Sequence, residues 1–329
     1  MPRVVIFLSW LTADRLLVEG SAWKLGGIKP SSTVQSVKAF IQASTRVPIG
    51  QQRLIFAGRQ LENPITLAEY NITHNSVLNC VIRLVGGKPA IYLLSPQAIN
   101  KVSVSVELSR EWDFTVIYPL ADKSQNSKFS TSKVTWNVSV DSTGILREAS
   151  GREYSYLFWE AETQPATPMI DDEMYNRFNA ARPILTSSNS VVLPFHDFIG
   201  YLEMTLERLQ LTISMRTDFM TYWMPNFLHI RDQGLDIAVT FVEQSMFNKA
   251  ARLSITPQPS TVARVFMLFG AVDTTDRDEN DSEWRNLRLD LKEANDIDWA
   301  MRIGLNVKGL KDQRAFRAME WGGMEVYDV

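Results

Sequence analysis

Two stretches of strict alternation constrain the fold of this chain more than any other feature of it. Val102, Val104, Val106 and Leu108 fall on one side of an extended segment, and Ser103, Ser105 and Glu107 fall on the other. Val134, Trp136, Val138 and Val140 repeat the pattern. A period of two places each set on one face of a β-strand, and an apolar face backed by a polar one belongs to an antiparallel strand covered on one side. Asp141 to Gly144 supplies a turn, and Tyr154, Tyr156 and Phe158 predict another, aromatic strand. Further strands are expected at Leu235 to Val242, Ala251 to Ile255 and Val262 to Phe269, the last two joined by the Pro-rich turn Thr256 to Ser260. A β-sandwich or rolled sheet is the arrangement that buries such faces.

A helical period interrupts these strands. Ile199, Leu202, Leu206 and Leu209 recur at spacings of three and four, and Thr212 can cap a second helix carrying Met215, Phe219 and Trp223, which Pro225 is expected to end. The pair predicts an inserted helical hairpin. A DNA-binding helix-turn-helix is the sharper alternative, but Glu203, Glu207 and Asp218 offset Arg208 and Arg216. Thr274 to Glu283 reads as a solvated acidic loop.

At 329 residues the chain is long for one core, so two domains are expected. The 45% hydrophobic content is that of a globular protein. A net charge of −3 offers no excess positive potential to a phosphate backbone, so nucleic acid is not an expected partner. Cys80 is the single cysteine, which rules out an intramolecular disulfide and a cysteine-based zinc site and fits a reducing compartment. Arg3 followed by the apolar run Val4 to Leu11 lacks the small-residue cleavage site of a signal peptide, and Val262 to Val272 is shorter than the ~20 residues a membrane helix needs. The expected location is cytoplasmic or nuclear, with no membrane association.

Residues before Lys88 read differently from the rest. Val4 to Trp10 predicts a strand and Leu16 to Ile28 its return partner, with Gly20, Gly26 and Gly27 as places for bulges. Ser32 or Thr33 can cap a helix whose Val34, Val37, Phe40 and Ile41 share a face, ended by Val47 and Pro48. Strands at Gln52 to Phe56 and Leu78 to Leu84 follow, with turns at Ala57-Gly58 and Asn63-Pro64.

Within this segment the run QQRLIFAGRQLE, Gln51 to Glu62, resembles ubiquitin at all but one position. The similarity continues through TLAEYNI, Thr66 to Ile72, ends in VIRLVGG, Val81 to Gly87, and spans Pro30 to Gly87 without a gap. The resemblance implies a β-grasp fold for residues 1–87, a mixed sheet wrapping one helix, joined to an antiparallel β-rich domain at 88–329, an α+β chain overall. It also implies a shallow apolar docking patch at Ile55, Gly58 and Val81, flanked by Arg53 and by Asn79 where ubiquitin carries a histidine. The implied partners are ubiquitin-binding proteins or proteasome receptors. Most lysines on which ubiquitin chains grow are replaced, with Arg59, His74, Phe40 and Ser44 at matching positions and Lys38 retained on the helix. Arginine stays protonated and cannot accept an acyl group, so a noncovalent role is expected.

Ubiquitin is conjugated through a free terminal diglycine, whereas Gly87 here is followed by a further 242 residues. Arg83, Gly86 and Gly87 form a possible processing site, against which stand Val85, in place of a basic tail residue, and the stiff Pro89. A plain Gly-Gly linker is the alternative. Beyond it, KPAIYLLSP from Lys88, YLFWE from Tyr156, YWMP from Tyr222, ITPQP from Ile255, RVFM from Arg264 and EWGG from Glu320 resemble, in order, an uncharacterised and mainly bacterial β-rich family. That resemblance implies a domain extent and no activity.

The larger domain holds two of the three histidines, so no three-histidine metal site can form there, and no metal or cofactor is expected. A nucleophile turn of the G-x-S-x-G type is absent. Glu160 and His196 are the candidate catalytic groups, Glu160 because burial inside FWE would raise its pKa. Trp159, Tyr222, Trp223, Arg264 and Trp321 could line a ligand cleft, with core packing as the alternative. The expected function is an interaction or adaptor protein; the alternatives are an enzyme of unknown reaction and a precursor cleaved after Gly87.

Overall fold

A computed structural model of the protein describes residues 4–10, 23–45, 47, 49–57, 59–82, 85–126, 131–163, 178, 183–274, 284 and 287–326. The chain divides into two compact units, one built on Met1–Leu84 and the other on Val85–Glu162 and Met174–Val329.

The first unit comprises β1 (Val4–Trp10), β2 (Trp23–Ile28), α1 (Val34–Thr45), β3 (Gln52–Phe56), β4 (Arg59–Gln60) and β5 (Val77–Ile82). Its sheet runs in the order β2, β1, β5, β3, β4, with β1 and β5 parallel and the other pairs antiparallel. This is the mixed sheet of the β-grasp. Thr33 caps α1, its Oγ1 accepting from the Ser36 amide at 3.2 Å. Val34, Val37 and Ile41 enter a core with Leu25, Leu54, Leu61, Leu67 and Leu78. Phe40, expected on the same face, is instead 43% exposed. At 100° per residue it sits about 90° from the centre of that stripe, and Lys38, 7% exposed, occupies the better position. The buried Gln52 donates its amide N–H groups to the carbonyls of Lys38 and Val47, tying α1 and the segment after it to β3.

The second unit carries two sheets and two long helices. Its strands are β6 (Val85–Leu94), β7 (Ile99–Leu108), β8 (Trp112–Tyr118), β9 (Asp122–Asn126), β10 (Thr131–Val140), β11 (Leu146–Arg147), β12 (Glu153–Tyr154) and β13 (Leu157–Thr163), followed by β14 (Val191–Leu193). Then come α2 (Phe195–Arg208), α3 (Ile213–Asp232), β15 (Asp236–Phe241), α4 (Gln244–Ala250), β16 (Ala251–Thr256), β17 (Thr261–Val272), the short helices α5 (Leu291–Asn295), α6 (Trp299–Arg302) and α7 (Val307–Lys311), and β18 (Arg317–Glu325).

The two alternating segments of the sequence, β7 and β10, pair with each other at the centre of a sheet ordered β12, β11, β10, β7, β16, with β9 also on β10. The other sheet runs β14, β15, β17, β18, β6, β13, β8. The Pro-rich turn therefore does not close a hairpin, because β16 and β17 lie in different sheets. The predicted aromatic strand is likewise divided: Tyr154 belongs to one sheet and Phe158 to the other. The expectation of a wholly antiparallel domain is also corrected, since β17 and β18 are parallel. The chain between them passes through α5, α6 and α7, and a crossover of that length is what parallel neighbours require.

Ala263, Val265, Met267 and Phe269 of β17 share one core with Phe198, Leu202, Met215, Phe219, Trp223 and Phe227 of α2 and α3. The alternate residue Phe266 packs on the opposite side with Phe247 and Trp112, at centroid distances of 4.3 and 6.2 Å. The central sheet is thus covered on both faces, which is why β17 reads as a nearly continuous apolar run. Pro225 lies inside α3 and does not end it. The helix continues because Phe227 and Ile230, beyond the proline, remain anchored in the core.

Candidate functional site

The outer face of β3 and β5 in the first unit presents the side chains most suited to a partner. The register pairs Ile55 with Asn79 and Arg53 with Val81. Paired residues point the same way and alternate residues share a face, so Arg53, Ile55, Val77 and Asn79 occupy one side of the sheet. Leu54, Leu78 and Cys80 turn into the core and are fully buried. Burial pushes the Cys80 thiol up to about 12. Ile55, Arg53 and Asn79 are half-buried. Gly58, Arg83 and the side chain of Val81 lie outside what is described. Val77, which sequence reasoning missed, is 48% exposed beside Asn79. The signal was present in the alternation of Val77, Asn79 and Val81 with Leu78, Cys80 and Ile82. Arg53 Nε is buried at this face without a hydrogen-bond partner among the described residues.

The retained lysine is unsuited to acylation. Lys38 is 7% exposed within α1, so its amine is not offered to an enzyme. The diglycine lies in neither a tail nor an unpaired linker: Gly86 and Gly87 are residues of β6, the second and third of the second unit.

The candidate residues of the second unit do not converge on a cleft. Trp223 and Trp321 sit in the core beneath α2 and α3. Trp159 packs on the other side against Trp112 and Phe114. Its indole donates to Glu320 Oε1 at 3.0 Å, and Arg264 Nε donates to Glu320 Oε2 at 2.5 Å. The Arg264 guanidinium lies 4.2 Å from the Phe247 ring centroid and also donates to the Ala251 carbonyl and Asn248 Oδ1. Arg264 and Glu320 are 3% and 1% exposed, a buried ion pair that joins β17, β18, β13 and α4.

Glu160 is not enclosed by apolar groups. It is half-buried and accepts a hydrogen bond from the Tyr222 hydroxyl at 3.2 Å. This contact is one of three that α3 makes with residues spaced by four: Asp218 accepts from Tyr92 at 3.2 Å, and Asn226 donates to Glu325 at 2.7 Å. The three pins reach β6, β13 and β18 and fix the register of α3. Burial and the Glu160 carboxylate push the Tyr222 phenol upward, which stabilises the hydrogen-bonded form. His196 is an exposed residue of the first turn of α2, paired with Asp197 at 3.3 Å. Two surface depressions of about 650 and 670 Å³ lie elsewhere on this unit and are lined by none of these candidates. Among the described residues no group of three or more His, Cys, Asp or Glu could hold a metal, and no helix is long and apolar enough to cross a membrane.

A family model described as the ubiquitin family matches residues 18–85. The ubiquitin-like protein NEDD8 of Dictyostelium discoideum is 38% identical over 60 residues, covering 18% of this chain and 78% of that protein. The NEDD8-like protein RUB3 of Arabidopsis thaliana is 33% identical over 60 residues, covering 18% and 77%. The NEDD8-like protein RUB1 of Saccharomyces cerevisiae is 27% identical over 84 residues, covering 26% of this chain and 99% of that protein. Through its first unit, the chain therefore belongs to the ubiquitin family.

Proposed function

We propose that the outer face of β3 and β5 is a noncovalent docking surface for ubiquitin-binding modules, including proteasome receptors, and that the chain acts as an interaction or adaptor protein. The observation that carries this reading is the placement of Ile55 and Val77, apolar and partly open to water, on one face with Asn79 and Arg53. A partner that covers this face gains the burial of two branched side chains and offers an acceptor to Arg53 Nε. The burial of Lys38 supports a noncovalent role over chain building. The second unit, Val85–Glu162 and Met174–Val329, with the resemblance to a β-rich bacterial family, serves in this reading as the body to which the handle is attached.

The test is a titration of the full chain against a panel of isolated ubiquitin-binding modules, with Ile55→Ala and Val77→Lys alongside. Binding by wild type that both substitutions weaken at least several-fold is the expected result. No binding by wild type to any module removes the docking role.

A further inference from the structure

We propose that the second unit withholds the Gly87–Lys88 peptide bond from proteolysis by holding the diglycine as the centre strand of a three-stranded arrangement. On one side of β6, Gly86 is paired with Ala161 and Val85 with Glu162 of β13. On the other, Gly87 is paired with Gly323 of β18. Gly86 thus has its partner on β13 and Gly87 its partner on β18, and a protease that takes this segment as an extended substrate competes with both pairings. A protease cleft that encloses a narrow Gly-Gly segment would have to displace β13 and β18 first.

The geometry around the bond has a cause in the sequence. Against β13, Phe158 pairs with Ala90 and Ala161 with Gly86, so β6 uses one residue more than its neighbour. Against β18, Trp321 pairs with Ala90 and Gly323 with Gly87, and β6 again has the extra residue. The shift against β13 falls within Gly87 to Pro89, and the shift against β18 falls at Lys88 and Pro89. Proline has no amide hydrogen to give to a ladder and is accommodated inside sheets at bulges. The bulge at Lys88 and Pro89 thus separates the diglycine from the next stretch of β6, and the strand resumes at Ala90 to Leu94 against β18. Gly86 and Gly87 remain paired upstream of it.

The reaction withheld is hydrolysis by a Gly-Gly-selective cysteine protease. Water adds across the Gly87–Lys88 bond, leaving a carboxylate on Gly87 and an amino group on Lys88. Opening of the second unit releases the strand and makes the bond a substrate, so cleavage is coupled to unfolding of that unit. This does not depend on the docking role of the β3–β5 face.

The experiment uses the full chain. Hydrogen exchange resolved to the 85–94 segment is measured in parallel with cleavage by Gly-Gly-selective cysteine proteases across a urea series. Intrinsic emission follows the fold, since seven of the nine tryptophans lie after Val85. The expected result is that the Gly86 and Gly87 amides exchange at least a hundredfold more slowly than in an unstructured peptide, and that a fragment beginning at Lys88 appears only at urea concentrations where the emission changes. Two outcomes overturn the proposal. One is cleavage in buffer with native emission or unprotected exchange at both glycines. The other is absence of cleavage in the opened chain, which would place the block in Val85 and Pro89 and not in the sheet.

Discussion

Three side chains separate what is exposed for partners from what is buried for stability. Ile55 is half-buried, so Ile55→Ala should cost about 1 kcal/mol of folding as well as about 1 to 2 kcal/mol of binding. Thermal melts and titrations of the same sample separate the two, and equal binding by wild type and variant would remove Ile55 from the interface. Glu320 is the acceptor for both Trp159 and Arg264, and its removal leaves a guanidinium uncompensated in the core. Glu320→Ala should lower the stability of the second unit by about 3 to 5 kcal/mol, and Glu320→Leu with Arg264→Met should recover much of the loss. Chemical denaturation of wild type and the two variants checks this; a loss in the double variant as large as in Glu320→Ala would contradict it. Cys80 gives a pH dependence. Its folded pKa of about 12 lies above the ordinary value of 9.0, so below pH 9 the thiol is neutral folded or unfolded. Above pH 9 only the unfolded chain ionises, and this group's contribution to the stability of the first unit is lost as pH rises toward about 12. Cys80→Ala should flatten that alkaline slope, and a thiol reagent at pH 8 should label wild type only in denaturant.

At the level of elements, periodicity located most segments, and its failures have identifiable causes. Thr212 caps α3 as its position before Met215 suggested, with its hydroxyl accepting from the Met215 amide at 3.3 Å. Pro225 did not stop that helix, since a proline costs about 3 kcal/mol in a helix interior and the buried residues on both sides of it outweigh that cost. The EWGG motif resolves into three different demands: Glu320 pairs Arg264, Trp321 fills the core, and Gly323 leaves room. A Cβ at Gly323 would lie 3.0 Å from the Met267 carbonyl oxygen and 3.2 Å from the Trp223 ring. Both neighbours are held in place, Met267 in β17 and Trp223 on the buried face of α3, so Gly323→Ala should destabilise the second unit by about 1 to 3 kcal/mol. A melting temperature equal to that of wild type would show that Trp223 can move aside.

For the whole molecule, the diglycine marked a boundary in the sequence that the sheet places elsewhere. Two glycines before Lys88 read as a processing site or a linker, while the second unit begins at Val85 and uses them as strand. A chain starting at Lys88 should therefore melt about 5 °C below one starting at Val85, having lost three paired residues, and calorimetry of the two decides it. Equal midpoints would return Val85 to Gly87 to a linker role. The family of the first unit and the β-rich character of the second were determined by sequence alone, because they rest on local pattern: a near-identical run at Gln51 to Glu62, and side chains alternating over seven residues or more. Which strands share a sheet, that β17 and β18 run parallel, that Trp159, Trp223 and Trp321 are core and no cleft, and that Gly87 lies between β13 and β18 were decided only by tertiary structure. Each of these depends on pairing between segments far apart in the chain, such as Trp159 with Glu320 or Gly87 with Gly323, and a strand's own residues carry its faces but not the identity of its neighbours.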